Sequence, residues 1–161
     1  MPLAQIKDIK MKQSLTLLII SLFFSGCEQN KVTANPGEKM MVITNFIKYD
    51  KKQEFEDIVL NEVIPSYYSY RDSVDELHSL NQKAKNTFRF QKPVQMNEDS
   101  TWTFVFMGDP YFDGANYYIG KPLRQKYGDE KAKEIIGRWN NCFIKQGQTL
   151  FLVEEVDLKG K

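Results

Sequence analysis

The stretch MMVITNFIKY, residues 40–49, decides the fold of this chain. It is rich in β-branched and aromatic residues between polar segments, which predicts a β-strand. Alternate residues of a strand point to opposite faces of its sheet. The two sets are Met41, Ile43 and Ile47 on one face and Met40, Val42 and Phe46 on the other. Both faces of this strand are therefore apolar, and we expect both to be covered.

Helical and strand-like patterns follow this strand in a definite order. We predict a helix from Asp50 that ends or kinks at Pro65, followed by a helical stretch over 67–80. Two strands at 87–96 and 101–111 come next. The chain then forms a short helix at 123–127, a helix from Asp129 to Gly147 and a last strand at 149–158. The polar residues 97–100 predict a hairpin between the two middle strands. The order strand, helix, strand, strand, helix, strand predicts an α+β fold of the ferredoxin-like βαββαβ type, with an antiparallel sheet and the helices on one face.

The later strands are apolar on both faces as well. Leu150 and Leu152 alternate with Phe151 and Val153, and the 101–111 strand follows the same rule. An antiparallel sheet with one solvated face should instead alternate apolar and polar residues. Two helices cover one face only, so we expect the second face to pack against another copy of the chain. The pattern predicts a homodimer.

An export signal precedes this domain. Residues 11–27, MKQSLTLLIISLFFSGC, combine a basic start, a ten-residue apolar run and small residues before Cys27. The run is too short to span a bilayer, which needs about 20 residues, and it suits a signal-peptide core. Its ending FSGC resembles the bacterial lipobox, whose cysteine is lipidated, and a plain secretory signal is the alternative. Either Met1 or Met11 is a possible start. We expect a lipid-anchored protein of the bacterial cell envelope, facing the periplasm or in the outer membrane.

The remainder divides into a tether at 28–39 and one domain at 40–158. Without residues 1–27 the chain loses three of its 22 basic side chains and one of its 21 acidic ones, which leaves it near neutral. This argues against a nucleic-acid partner, which requires a clustered basic surface. With Cys27 lipidated, Cys142 is the one remaining thiol, and its apolar helical surroundings predict a buried core residue.

The domain 40–158 resembles the dimeric α/β-barrel superfamily, which includes antibiotic-biosynthesis-monooxygenase-like domains. The resemblance rests on the order of elements, FEDIVLNEVIP on the first helix, the aromatic third strand and Trp139 on the second helix. Haem-degrading members use an Asn on the first strand, a Trp on the third and a His on the second helix. Asn45 and Trp102 match the first two, but His78 is the one histidine and precedes the second strand, which argues against haem.

Asn45, Trp102 and Trp139 are the candidate ligand-binding residues. A buried amide such as that of Asn45 binds a ligand or satisfies neighbouring backbone groups, and both readings stay open. Several tyrosines either line a hydrophobic cleft or a protein-binding patch, or are shared between core and interface: Tyr67, Tyr68, Tyr70, Tyr117, Tyr118 and Tyr127.

Residues 108–116, GDPYFDGAN, lack the third and last ligands of a calcium loop and predict a turn-rich loop. We expect no metal and no cofactor. The function predicted is binding of a small apolar ligand or a protein partner. A cofactor-independent monooxygenase-like enzyme and a structural dimer in envelope assembly are the alternatives.

Overall fold

The computed structural model describes residues 32–158, so the predicted signal and Cys27 lie outside the described residues. In chain order the described elements are β1 (Lys39–Ile47), a 3-10 turn (Tyr49–Lys51), α1 (Lys52–Ile58), a π-helical stretch (Val59–Val63), α2 (Ile64–Ser69), α3 (Asp75–Thr87), β2 (Phe88–Gln91), β3 (Trp102–Gly108), α4 (Gly120–Tyr127), α5 (Asp129–Cys142) and β4 (Phe143–Glu154). This confirms the predicted α+β class.

The strands form an open antiparallel sheet in the order β2-β3-β1-β4. The order is compatible with the predicted ferredoxin-like arrangement. On β1, Ile43 lies opposite Phe106 of β3 and Leu150 of β4, so these three side chains share one face of the sheet. The apolar residues predicted for this face therefore form a row that runs across β3, β1 and β4.

Helices α1 and α5 pack against the same face of the sheet. The ring of Phe55 on α1 lies 4.8 Å from that of Phe104, and the ring of Trp139 on α5 lies 6.0 Å from that of Phe106. Phe104 and Phe106 are two residues apart on β3 and point to the same side. The hydrophobic core fills the space between these helices and the sheet.

The opposite face of the sheet carries apolar side chains that no described element buries. Met40, Val42 and Phe46 on β1 are half-buried, and Phe151 and Val153 on β4 are exposed. These are the residues that the alternating pattern assigned to the second face. We refer to this surface as the open face.

The helical segment continues through Pro65 because the turn before it is wider than an α-helical turn. The backbone N–H of Ile64 donates to the carbonyl of Val59, five residues earlier, in a π-helical stretch. Proline lacks an N–H, and its ring collides with the carbonyl four residues back in a regular α-helix. The wider turn relieves this collision. The helix then ends at Ser69, because the backbone of Tyr70 is extended.

The structure corrects three predicted boundaries. The helical stretch predicted over 67–80 is broken by an extended segment before α3 begins at Asp75. The strand predicted at 87–96 is reduced to β2, because Pro93 cannot donate to a ladder. The helix predicted to reach Gly147 ends at Cys142, and β4 starts at Phe143, six residues earlier than predicted.

Gly147 lies inside β4 rather than at a helix end. The pairing of β4 with β1 shifts register between Asn45 and Ile47, and Gln146 adopts a left-handed backbone with φ 59°. A Cβ at Gly147 would lie 2.8 Å from the carbonyl oxygens of Phe46 and Ile144. The glycine is required by this irregularity in the strand pair.

The described part of the predicted tether is hydrogen-bonded to the domain. The N–H of Ala34 donates to Asp109 Oδ1 at 2.6 Å, and the N–H of Gly37 donates to the carbonyl of Glu155 at 2.9 Å. Pro36 and Gly37, with φ 87° at Gly37, form the turn that brings the chain into β1. A free tether stays a prediction for the residues before Val32. Between Val32 and Leu158, no helix combines the length and the apolar character needed to cross a membrane.

Candidate functional site

A cavity of about 260 Å³ lies between the helix-bearing face of the sheet, the segment from the π-helical stretch to α2, and the loop after β3. Its lining comprises Met41, Ile43, Val63, Ile64, Tyr67, Phe88, Phe106, Tyr111, Ala115, Tyr117, Tyr118, Ile119, Trp139, Gln148, Leu150 and Leu152. We call this half of the layer, around Ile43, Tyr67 and Phe106, the hollow end. The other half, around Ile47, Phe55 and Phe104, is the packed end.

A row of aromatic rings crosses the hollow end. The ring centroids of Tyr67 and Phe88 are 5.1 Å apart, those of Phe88 and Phe106 5.6 Å, and those of Phe106 and Trp139 6.0 Å. All these spacings are in the range of favourable aromatic contact. The row ends at Trp139, whose ring also packs on Phe55 of the packed end at 4.7 Å. The cavity wall on this side is therefore continuous with the core.

The loop between β3 and α4, residues 109–119, closes the cavity from another side. Two ion pairs connect the loop to the sheet: Asp109, at its start, with Arg89 at 2.8 Å, and Asp113, near its middle, with Lys39 at 2.9 Å. Further along, the N–H of Asn116 donates to Oδ1 of Asn81 at 2.7 Å. The turn-rich loop predicted from GDPYFDGAN is thus fixed to β1, β2 and α3, and it places aromatic side chains over the cavity.

Two loop tyrosines, Tyr111 and Tyr117, also line the cavity. Tyr111 and Tyr117 stack with ring centroids 5.1 Å apart, and Tyr117 Oη accepts the N–H of Phe112 at 3.0 Å. Tyr117 approaches the sheet at Gly108, where a Cβ would lie 3.3 Å from its Cε1. The absence of a side chain at Gly108 lets the tyrosine pack directly over the end of β3.

Tyr67 carries the least satisfied polar group of the cavity. Its side chain is only 5% exposed, and its hydroxyl has no hydrogen-bond partner among the described residues. Burial raises its pKa, and the neighbouring Tyr117 raises it further, so the phenol stays protonated. An unpaired buried hydroxyl costs about 1–3 kcal/mol.

Three lining side chains are exposed and lie at the rim of the cavity. Tyr118 is 83% exposed, Leu150 55% and Leu152 51%. The two leucines belong to the edge strand β4, so the cavity is accessible on the β4 side of the hollow end. Every lining residue among those the structure describes is uncharged. The site therefore suits a neutral molecule, because an ion would lose its hydration without gaining a counter-charge.

Asn45 lies fully buried in the sheet, between the packed and hollow ends. Its Nδ2 donates to the carbonyls of Ile43 and Phe104, both at 3.3 Å, and its Oδ1 accepts Gln148 Nε2 at 2.8 Å. Asn45 is not among the lining residues, whereas its partner Gln148 is. In the structure the Asn45 amide therefore satisfies neighbouring backbone groups, and its hydrogen bond to Gln148 connects it to a lining residue. A ligand-binding role for Asn45 stays a prediction.

The two tryptophans lie in different places. Trp139 is buried and lines the cavity. Trp102 lies at the packed end, opposite Ile47, where its Nε1 donates to the carbonyl of Tyr49 at 3.1 Å and Lys52 Nζ lies 4.1 Å from its ring centroid. The structure therefore brings Trp139 to the cavity, and it places Trp102 and Asn45 elsewhere on the same face of the sheet.

Of the six tyrosines named from the sequence, three line the cavity: Tyr67, Tyr117 and Tyr118. Their position agrees with the interpretation that these tyrosines line a hydrophobic cleft. Cys142 is buried as predicted: its Sγ donates to the carbonyl of Arg138 at 3.3 Å, and burial raises its pKa to about 11. Within residues 32–158, no cluster of three or more His, Cys, Asp or Glu side chains is placed to hold a metal ion.

The sequence did not identify Tyr111, Ile43 or Gln148 as members of the site. Gln148 offered a signal, since it is a polar residue beside an apolar strand whose register places it opposite Asn45. Tyr111 offered none, because its position depends on how the 109–119 loop folds back over the sheet. Comparison with protein-family models, with curated proteins and with solved structures finds no match for this chain.

Proposed function

We propose that this protein binds a small, neutral, mostly apolar ligand in the cavity at the hollow end. The observation that carries the proposal is an accessible cavity of about 260 Å³ whose lining is uncharged and rich in aromatic side chains. Ligand sites are typically apolar clefts with a few placed polar groups. Asn45 and Trp102 lie away from this lining, so we rank binding above the monooxygenase-like alternative built on them.

The volume limits the size of the ligand. An apolar cavity of about 150 Å³ accommodates benzene, and pockets for drug-sized ligands measure roughly 300–1,000 Å³. At about 260 Å³, the cavity lies between these values. Scaling from the six carbon atoms of benzene gives a ligand of about ten non-hydrogen atoms.

A titration with naphthalene tests the binding proposal. We expect saturable binding of naphthalene by calorimetry, and at least a tenfold loss in Ile43→Phe, since the larger side chain occupies the cavity. Val94→Phe is the matched control, because it adds the same ring at a fully exposed position between β2 and β3. Failure of the wild-type protein to bind, or equal affinity in Ile43→Phe, would refute ligand binding in this cavity.

We further propose that the protein works in the bacterial cell envelope, anchored through lipidated Cys27. Support comes from the basic, apolar and small-residue segments that end at this cysteine. Mass spectrometry of membrane-extracted protein should give a mature N-terminus at Cys27 carrying acyl chains. Recovery of residues 1–26 on a protein with unmodified Cys27 would exclude the anchor.

The proposed assembly is a homodimer of ferredoxin-like domains that pair through their open faces into a dimeric barrel. Its support is the chemistry of this face. Across β1 and β3 the face presents Met40, Val42, Thr44, Phe46, Thr103, Val105 and Met107, all uncharged. Arg89 of β2 lies on the same face, beside Met107, and is paired with Asp109. A twofold pair places the uncharged positions of β1 and β3 against themselves without like-charge contact.

Light scattering of the detergent-solubilised protein, with the detergent mass subtracted, tests this assembly. We expect the mass of two chains for the wild type and of one chain for Val105→Glu, which places a charge at the centre of the open face. A glutamate at Val94 is the control on an exposed loop and should leave the mass unchanged. One chain for the wild type would refute the dimer.

A further inference from the structure

One polar side chain of the cavity lining, that of Gln148, is both accessible and held by a hydrogen bond. It belongs to the edge strand β4, is exposed, and lines the cavity together with Leu150 and Leu152. Its Nε2 donates to Asn45 Oδ1 at 2.8 Å, and Asn45 is the one hydrogen-bond partner of this side chain among the described residues. The second N–H and the Oε1 of the amide are therefore free to bind a ligand.

The orientation of the Gln148 amide follows from the groups around Asn45. Asn45 Nδ2 lies 3.3 Å from the carbonyl oxygens of both Ile43 and Phe104. These oxygens can only accept, so the Asn45 nitrogen must face them, and Asn45 Oδ1 is left to face β4. Because Asn45 Oδ1 also can only accept, Gln148 must present Nε2 to it. Gln148 Oε1 is consequently the atom of this amide that takes no part in the network.

An irregularity in β4 brings Gln148 to the helix-bearing face of the sheet. Ile47 lies opposite Phe143, whereas Asn45 lies opposite Gln148, so two steps along β1 correspond to five steps along β4. In a regular strand Gln148 would point to the face opposite that of Phe143. The irregular interval contains Gln146, whose left-handed backbone, with φ 59°, is uncommon for a residue other than glycine. Backbone strain of this kind concentrates at ligand-binding sites.

The other hydrogen-bonding groups of the lining are mostly donors. Trp139 carries an indole N–H, and Tyr111, Tyr117 and Tyr118 each carry a hydroxyl proton, so several side chains can recognise a ligand acceptor. The hydroxyl oxygen of a fourth tyrosine in the lining is fully enclosed and out of reach of a ligand. Gln148 Oε1 is the side-chain carbonyl of this lining, and it recognises a donor only.

We propose that Gln148 is the polar recognition residue of the cavity and that its Oε1 accepts a hydrogen bond from an N–H or O–H group on a neutral, mostly apolar ligand. The proposal rests on the binding function proposed above and adds the class of ligand and the residue that selects it. Asn45 acts through Gln148, whose amide it orients, and is a positioning residue.

The test compares indole with indene, two probes of the same fused-ring shape in which a ring N–H of the first replaces a CH₂ of the second. Calorimetric dissociation constants for both are measured with the wild-type protein and with Gln148→Met, which keeps the length of the side chain and removes its amide. Thr149→Val is the matched control, because it removes a polar group from the next position of β4, on the other face of the sheet. Tyr111→Phe and Tyr118→Phe remove competing hydroxyls from the lining.

We expect the preference for indole over indene to fall about threefold to tenfold in Gln148→Met and to be unchanged in Thr149→Val and in the two tyrosine variants. Indene should bind Gln148→Met about as well as the wild type, which also shows that the variant keeps the cavity. The preference should fall in Asn45→Ser as well, whereas a purely structural role of Asn45 would weaken the binding of both probes equally.

Three results would overturn the proposal. If both probes bind but Gln148→Met keeps the preference for indole, the hydrogen bond to Gln148 is refuted and ligand binding stands. If the preference falls in Tyr111→Phe or Tyr118→Phe instead, a tyrosine recognises the ligand donor. If neither probe binds the wild-type protein, both this proposal and the binding function fail.

Discussion

The packed end and the hollow end lie on the same face of the same sheet, and both are rich in aromatic residues. At the packed end, the ring of Phe55 reaches down from α1 to within 4.8 Å of Phe104, 4.7 Å of Trp139 and 5.6 Å of Phe143. At the hollow end, the helical segment stops at Ser69, and the 109–119 loop covers the sheet there. The comparison shows that the segment packed on the sheet, rather than the number of aromatic residues, decides whether the space is filled.

Truncation of Phe55 should have the largest effect. Because Phe55 is fully buried among three rings, Phe55→Ala should lower the free energy of unfolding by about 3–5 kcal/mol. Guanidinium denaturation at pH 7 measures this. Tyr118→Ala, at the exposed rim of the hollow end, should stay within about 0.5 kcal/mol of the wild type. A loss below about 2 kcal/mol for Phe55→Ala would mean that the packed end relaxes into the space.

Two isoleucines on β1 provide a matched test of the comparison. Ile47 is fully buried at the packed end, and Ile43 lines the cavity on the same face of the same strand. Ile47→Phe should destabilise the protein by about 1–3 kcal/mol through overpacking, whereas Ile43→Phe should change the free energy of unfolding by less than about 0.5 kcal/mol. Equal losses of unfolding free energy in the two variants, measured by urea denaturation, would show that the cavity cannot accommodate the larger side chain.

Two glycines allow the same test with a single added methyl group. At Gly147 the Cβ would meet backbone oxygens at 2.8 Å, whereas at Gly108 it would meet the Tyr117 side chain at 3.3 Å. Backbone cannot yield cheaply, so Gly147→Ala should destabilise by about 2 kcal/mol. Tyr117 can shift into the cavity, so Gly108→Ala should destabilise by less than about 1 kcal/mol. Thermal unfolding of the two variants checks the order, and a reversed order would contradict the comparison.

The pH dependence of stability tests the burial of the Tyr67 hydroxyl. Its pKa is raised in the folded protein above the ordinary value of 10, so the folded state holds this proton more tightly than the unfolded state. The associated stability is complete below pH 10 and is lost as the pH rises above it. At pH 11 the wild type should have lost about 1.4 kcal/mol more than Tyr67→Phe.

Urea denaturation at pH 8 and pH 11 measures this difference between wild type and Tyr67→Phe. Tyr118→Phe is the control, since its hydroxyl is solvated in the folded protein. Parallel losses in the wild type and Tyr67→Phe would show that solvent reaches the Tyr67 hydroxyl, and the hollow end would then be wetter than its lining suggests.

Much of the fold could be predicted because it depends on local patterns. The alternation in residues 40–49 places Met41, Ile43 and Ile47 on one face, and the structure keeps them there. Boundaries were predicted less well where long-range contacts compete with local preference. Phe143 fits the apolar side of α5, but pairing with Ile47 and packing on Phe55 draw it into β4.

The candidate site could be predicted in part only. Trp139 and Tyr67 follow from apolar helical patterns, and both line the cavity. Asn45 interrupts an apolar strand, and this signal was real, but it marks a satisfied hydrogen-bond network with Gln148 and Phe104. A lone polar residue in a strand predicts that a partner exists, and the partner's identity depends on register.

By itself the sequence determined the α+β class, the apolar character of both sheet faces and the aromatic residues of the core, because these follow from the periodicity of side chains along each element. The tertiary structure alone decided where the core residues leave a cavity. The cavity lies where α2 has ended at Ser69 and the 109–119 loop, with its ion pairs at Asp109 and Asp113, covers the sheet instead. Such a gap between non-adjacent segments has no local signature, since it depends on how far apart the fold holds them.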